Sequence, residues 1–203
     1  MQSETQTPAA VLAFWFGELD ADGLPSSAAA ARWFVGGDAF DEEIRERFGG
    51  LVEEALAGGL EAWADVPREL LALVIVLDQF PRNLFRGDAR AFSGDALALA
   101  LSRDAVDAGW ARRMLPGERI VLYLPFEHAE TLGEQERCCA LYRELLDDGP
   151  ACGRLLLAGS LAYAERHLAT IRRFGRFPAR NEALGRRSTP AELAFLAEHP
   201  SGF

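Results

Sequence analysis

One stretch constrains this chain more than any other: residues 69 to 95, ELLALVIVLDQFPRNLFRGDARAFSGD. The apolar run Leu70 to Leu77 stops at Asp78, and Gln79, Phe80, Pro81, Arg82, Asn83, Phe85, Arg86 and Arg90 follow. An uncharged run of this length has to be buried. Its end therefore delivers a carboxylate, two amides and three guanidiniums to one corner, with phenylalanines between them. Either a polar network ties loops to the core there, or a ligand binds. Run length alone does not separate a buried strand from a helix. Pro67 stands where a first helical residue belongs and Glu69 follows in the first turn, so the expectation is a helix from Pro67 to Phe80. Pro81 disfavours helical geometry at Phe80, which places the polar corner on that helix's C-terminus and the loop after it.

The rest of the chain reads as helices with short connections. Thr7-Pro8 is a cap followed by proline at the first helical position, and Val11, Leu12 and Trp15 form an amphipathic turn. Arg32-Trp33-Phe34 belongs to a second short helix stopped by Gly36-Gly37. Asp38 is expected to cap the next one, in which Phe40, Ile44, Phe48, Leu51, Val52, Ala55 and Leu56 recur at helical spacing. Gly49-Gly50 is a candidate kink. Ser93 or Asp95 opens a helix with Leu97, Leu101 and Ala105 inward. Pro116 opens another, which Pro125 is expected to break. Thr131 and Glu134 have capping-box spacing ahead of a helix to about Asp147, with Cys138 inward. The longest helix runs from Gly153 to Phe174. At about 100° per residue, Leu157, Leu161, Ala164, Leu168 and Ile171 share one face, and Ser160, Tyr163, His167, Thr170 and Phe174 form a stripe suited to a polar cavity wall. Thr189-Pro190-Ala191-Glu192 is a second capping box. Strand signals are few, so the fold class is all-α, as a single domain over residues 1–203.

Charge narrows the function classes. The formal net charge is −10, which argues against general binding to nucleic acid or to an anionic membrane surface. Lysine is absent, so every fixed cation is an arginine able to fork onto a carboxylate or phosphate. No basic region precedes an apolar stretch between Met1 and Pro8, so no secretory signal is expected. Three cysteines, Cys138, Cys139 and Cys152, make no disulfide framework. The expected location is the cytoplasm.

A set of blocks carries a resemblance: Phe14-Trp15-Phe16-Gly17, Trp33-Phe34, Asp78-Gln79-Phe80-Pro81-Arg82-Asn83, Phe85-Arg86-Gly87, Ala89-Arg90-Ala91-Phe92, Tyr123-Leu124-Pro125-Phe126, His128, Glu130, Gln135-Glu136, Arg173-Phe174-Gly175-Arg176-Phe177-Pro178 and Arg180-Asn181. In this order, nearly end to end, they resemble the bacterial domain of unknown function 924 family. The resemblance implies an all-α stack of tetratricopeptide-repeat-like antiparallel helical hairpins, and it implies no reaction. Two departures stand out: Ala179 where histidine is expected after Phe-Pro, and Ala129 where serine is expected after His128.

The residues themselves leave three chemistries open. Arg82, Asn83, Arg86, Arg90, Arg176, Arg180 and Asn181 could clamp a small carboxylate or phosphate, the competing account being that each arginine braces Asp78, Asp88, Glu127 or Glu130 internally. His128 or His167 could move protons, with Asp78 or a glutamate as orienter and Tyr163 in the wall. Glu127, His128, Glu130 and His167 are metal-ligand types, but no H-E-x-x-H or E-x-x-H spacing supports a metal. No glycine-rich phosphate loop, nucleophile elbow or dinucleotide fingerprint is present, and no cofactor is expected. Two function classes follow: a small-molecule binder or enzyme whose two Phe-Pro segments and His128 loop converge on one pocket, or a helical adaptor holding a peptide in an open groove.

Overall fold

In the computed structural model the described residues are 6–35, 37–199 and 202, without the side chains of Phe34 and Val35. The expectations for Phe34 and Gly36 thus lie outside the described residues. Among those described, α-helix dominates and the β-structure amounts to one isolated bridge, Leu19 to Pro25. The helices are α1 Pro8–Phe16, α2 Ser27–Val35, α3 Asp38–Leu56, α4 Pro67–Val74, α5 Phe80–Leu84, α6 Asp95–Asp107, α7 Pro116–His128, α8 Leu132–Asp148, α9 Arg154–Phe174 and α10 Pro190–Glu198. The all-α class is as expected. No helix among the described residues is long and apolar enough to cross a membrane. The chain groups into two compact units: Arg90–Pro125 with the chain up to Arg86, and Gly87–Ala89 with the chain from Phe126 on.

In the first unit an aromatic cluster explains where the apolar run goes. Phe80 is fully buried. Its ring stacks on Phe48 at 5.1 Å and meets Phe14 and Trp15 edge-on at 6.0 and 5.9 Å. Leu70 through Leu77 are buried throughout. The segment is helical, but Pro81 does not end it. Ile75–Gln79 opens into a π-turn, in which the Phe80 amide donates to the Ile75 carbonyl five residues back. The chain then re-enters α5 with Phe80 itself in helical geometry. The wider turn absorbs the proline ring, whose missing N–H would otherwise break the ladder. Arg82 and Asn83 therefore project from a helix rather than from a loop.

Other local expectations shift for identifiable reasons. Pro125 sits inside α7, which continues to His128. Residues on both sides of it, Leu124 and Phe126, are buried, so burial of the apolar face outweighs one lost hydrogen bond. Gly37, not Asp38, is the N-cap of α3, and Asp38 is its first residue. Thr131 caps α8 without a side-chain hydrogen bond, whereas the Thr189–Glu192 capping box and the Thr7 cap both form. Leu97 is exposed, and Ala98 takes the inward position beside Leu101 and Ala105. Gly49-Gly50 lies within an uninterrupted α3.

In the second unit α8 and α9 make an antiparallel hairpin. Arg143 pairs with Glu165 at 2.7 Å and Arg172 with Glu136 at 3.0 Å, the rungs advancing along one helix as they retreat along the other. Leu157, Ala164, Leu168 and Ile171 of the apolar stripe are buried and Leu161 half-buried; of the polar stripe Ser160, His167 and Thr170 are buried and Tyr163 and Phe174 half-buried. Gly175, at φ 71°, ends α9 in the left-handed conformation that glycine adopts without strain.

The helical crossing at Leu77 supplies a test. Pro81 offers no amide to the Leu77 carbonyl, and Gly94 packs so closely there that a Cβ would lie 2.1 Å from that oxygen. Gly94→Ala forces the backbone apart, so a fall in melting temperature of roughly 5–10 °C is expected. Gly49→Ala meets open space within α3, and thermal melts should show it unchanged or stabilised by about 0.5–1 kcal/mol. Equal melting of the Gly94 variant and the parent would contradict this packing.

Candidate functional site

The polar corner of the first unit is built around Asp78, which is completely buried. Arg82 approaches its carboxylate at 3.2 Å, donates to its backbone carbonyl, and pairs with Asp95 at 2.9 Å. The Gln79 side-chain amide donates to the same Asp78 carboxylate. Burial works against the Arg82 charge, but Asp78 and Asp95 outweigh it and push its pKa up. Next along α5, Asn83 donates to Asp41 at 2.7 Å, and Arg86 forks onto Asp41 at 2.6 and 3.0 Å. Burial raises the Asp41 pKa, yet the hydrogen bonds from Arg86 and Asn83 hold it below the ordinary carboxylate range. Arg90 pairs with Glu53 and lies over the Phe85 ring at 3.9 Å.

These residues are thus engaged with carboxylates of the chain itself. The partners Asp41, Asp95 and Glu53 were not recognisable as counterions. Asp41 and Asp95 lie in the first turns of α3 and α6, and no local pattern links Asp41 to residues 42 and 45 positions later.

In the second unit, the loop after α7 and the segment after α9 come together. Glu130 accepts the Phe177 amide at 2.7 Å and a two-pronged contact from Arg186 at 2.6 and 2.9 Å. Burial raises Glu130, but Arg186 and the Phe177 amide outweigh it and keep its pKa low. Arg186 also reaches the Asn181 side chain at 2.9 Å. Arg176 forks onto the buried Glu192 at 2.7 and 2.8 Å. That contact, with the Thr189 cap, holds Glu192 down at about 2. Arg180 sits over the Phe177 ring at 4.6 Å. Sequence reasoning missed Arg186, which lies in a loop 56 residues from Glu130. The exposed Ala179 and the half-buried Ala129 offer no side-chain polar group to this network.

One further cluster lies in this unit. Glu127 and His128 close α7, and the Gln135 side chain fixes that helix end by donating to the carbonyls of Glu127 at 2.6 Å and Ala129 at 2.8 Å. Glu127 is 1% exposed and His167, on the polar stripe of α9, is 3% exposed. His167 Nδ1 lies 3.0 Å from the Tyr163 carbonyl and 3.6 Å from Glu127 Oε1. A carbonyl only accepts, so Nδ1 carries the proton and, in the neutral ring, Nε2 keeps the lone pair. The His167 ring has His128 at 6.4 Å, Tyr163 at 4.8 Å and Phe177 at 5.3 Å between centroids. Burial, then the Glu127 charge, push the Tyr163 pKa up to about 12 and that of Cys138 well above the usual thiol range. Tyr163 therefore stays a phenol and Cys138 a thiol at neutral pH. Among the described residues no group of three or more His, Cys, Asp or Glu side chains could hold a metal ion. Of the segments expected to converge, the His128 loop and Phe177–Asn181 meet within the second unit. Phe80–Asn83 belongs to the first.

Two outcomes follow from the braces. Arg82→Ala strands the buried Asp78 carboxylate, a change expected to cost on the order of 3–5 kcal/mol in denaturant unfolding; a loss below about 1 kcal/mol would mean the pair is not dry. The second concerns acid. Asp41, Glu130 and Glu192 all have folded pKa values below their unfolded ones. Their stabilisation is complete above the ordinary carboxylate value and disappears as pH falls through the folded value, for Glu192 from 4.5 toward about 2. Glu192→Gln should be less stable than the parent near neutrality and should lose less on acidification through that window. Parallel stability–pH curves for the two proteins would rule this out.

The comparisons with known proteins agree with this architecture. No curated protein matches the chain. A solved structure of a protein of unknown function from Agrobacterium tumefaciens is similar at 34% identity and a TM-score of 0.79, over 94% of this chain and 97% of that one. Residues 11–200 match the model of the family described as bacterial protein of unknown function, DUF924. On that match over nearly its whole length, the chain belongs to the DUF924 family.

Proposed function

We propose that the second unit carries an acid–base site in which His167 Nε2 takes a proton from a small-molecule substrate. The observation that carries this is the buried pairing of Glu127 with His167. Nδ1 is held by the Tyr163 carbonyl with the Glu127 carboxylate at 3.6 Å. A carboxylate behind an imidazole stabilises the ring once Nε2 gains its proton, and a fixed Nδ1–H sets the tautomer that leaves Nε2 basic. Tyr163, kept protonated by burial and the Glu127 charge, supplies a hydroxyl donor. The half-buried His128 is the second titratable ring of the site. Gln135 is a positioning residue that holds the α7 end from which Glu127 projects.

The arginines first considered as clamps support a bracing role. Arg82, Arg86, Arg90 and Arg176 each face a carboxylate of the chain. The adaptor reading draws on the α8–α9 hairpin, which suits a tetratricopeptide-like stack. It expects polar side chains along an open groove, whereas His167 and Glu127 are enclosed, and the acid–base reading is preferred on that ground.

The test has two parts. In ¹⁵N spectra of the full chain, His167 should be the Nδ1–H tautomer near neutral pH, and a Nε2–H tautomer would remove the proposed base. Turnover should then be sought with a panel of esters, phosphate esters and carbonyl compounds bearing acidic C–H bonds. The expected result is activity that falls about 10²–10⁴-fold in His167→Gln at unchanged helicity. Activity that survives His167→Gln, or a panel with no turnover, would replace this reading with the adaptor.

A further inference from the structure

Helices α9 and α10 border a pocket of about 380 Å³ lined by Arg166, Ala169, Thr170, Arg173, Phe195 and His199. Among the described residues neither Arg166 nor Arg173 pairs with an acidic side chain, in a chain of net charge −10 where Arg143, Arg172 and Arg176 are each tied to a carboxylate. They stand one above the other along α9, since residues seven apart share a helical face. The Arg173 guanidinium lies over the Phe195 ring at 5.4 Å and over Phe174 at 4.8 Å. Stacking uses the face of the guanidinium and leaves its in-plane N–H donors available. The floor is apolar and held in place. Phe195 is buried, packs on Phe174 at 5.0 Å and on the His199 ring at 4.6 Å. It lies one turn beyond Glu192, where the Arg176 fork and the capping box fix the start of α10. Thr170 is buried and its hydroxyl is bound to the Arg166 carbonyl at 3.0 Å, so it turns no hydroxyl proton to the pocket.

We infer that this pocket binds a small anion with a flat apolar body: the body against Phe195 and the Thr170 methyl, the anionic head between Arg166 and Arg173. Two guanidiniums over an aromatic floor select this combination. A simple inorganic anion gains nothing from the floor, and a neutral ring leaves two cations unanswered. At about 380 Å³ the volume lies near the lower end for ligand pockets and suits one ring with its head group. A phosphate monoester and a carboxylate offer the same chemistry to the guanidiniums, so the experiment separates them. The inference stands apart from the acid–base site, because none of the lining residues belongs to it.

The full-length protein is titrated with phenyl phosphate, benzoate, inorganic phosphate and benzylamine, following the Phe195, His199 and Thr170 resonances. Saturable shifts are expected with phenyl phosphate or benzoate, whichever binds tighter naming the head group. Inorganic phosphate should bind more weakly, benzylamine should not compete, and added salt should weaken the complex. The double variant Arg166→Gln, Arg173→Gln should bind at least about tenfold more weakly, with α-helical content unchanged since both side chains are exposed. Glu127→Gln should bind as the parent does, which separates failure here from failure of the acid–base reading. Absence of saturable shifts with both aromatic anions, equal binding of benzylamine, or parent-like binding by the double variant would each overturn the inference.

Discussion

The first unit depends on one guanidinium. Arg82 meets the Asp78 carbonyl, the Asp78 carboxylate and Asp95 at once. Without a partner, a carboxylate with no solvent exposure costs several kcal/mol to bury. Arg82 reaches it because the π-turn lets the helix pass through Pro81 and places residue 82 one turn beyond residue 78. The same proline withholds an amide from Leu77, and Gly94 closes on that carbonyl with no side chain to obstruct it. That approach brings the start of α6, and with it Asp95, to the other side of Arg82. Turn geometry, glycine contact and ion pair are therefore one device, and the apolar run behind it supplies the burial that makes the device necessary.

The absence of lysine fits the same logic. The forks of Arg86 on Asp41, Arg186 on Glu130 and Arg176 on Glu192 each give two N–H donors to one carboxylate. An ammonium cannot reproduce this planar match. Each fork joins segments far apart in sequence where helices are short and loops many. Salt-screened pairs on open helix faces, such as Arg45 with Glu42, contribute little by comparison.

The helices were legible because their signals are local. Apolar spacing marked α3 and α9, and Thr189 with Glu192 marked the start of α10. What misled was also local: Pro81 and Pro125 are strong breakers in isolation, but both lie in segments whose neighbours are buried, and burial of several apolar side chains exceeds the loss of one hydrogen bond. The polar corner was legible as a place and in its Asp78–Arg82 pair, but not in the rest of its network. Asp78 lies one turn before Arg82, but the other partners, Asp95 and Asp41, are 13 to 45 residues away from Arg82, Asn83 and Arg86, distances at which one sequence holds no pairing signal. His167 stood out through its stripe on α9, whereas its pairing with Glu127, between α9 and the end of α7, required coordinates.

Burying Glu127 beside His167 has a cost that their surroundings have to offset. A carboxylate and an imidazole taken out of water lose hydration, and the Tyr163 carbonyl at 3.0 Å and the Glu127–His167 contact at 3.6 Å return part of it. The forked braces differ, since each joins segments that would otherwise separate. Around Glu127, burial and its charge keep Tyr163 and Cys138 neutral, so those two groups cannot ionise in answer to a proton moving nearby. Two groups beside Glu127 that could lose a proton therefore keep theirs, and the Tyr163 carbonyl fixes which nitrogen of His167 carries its own.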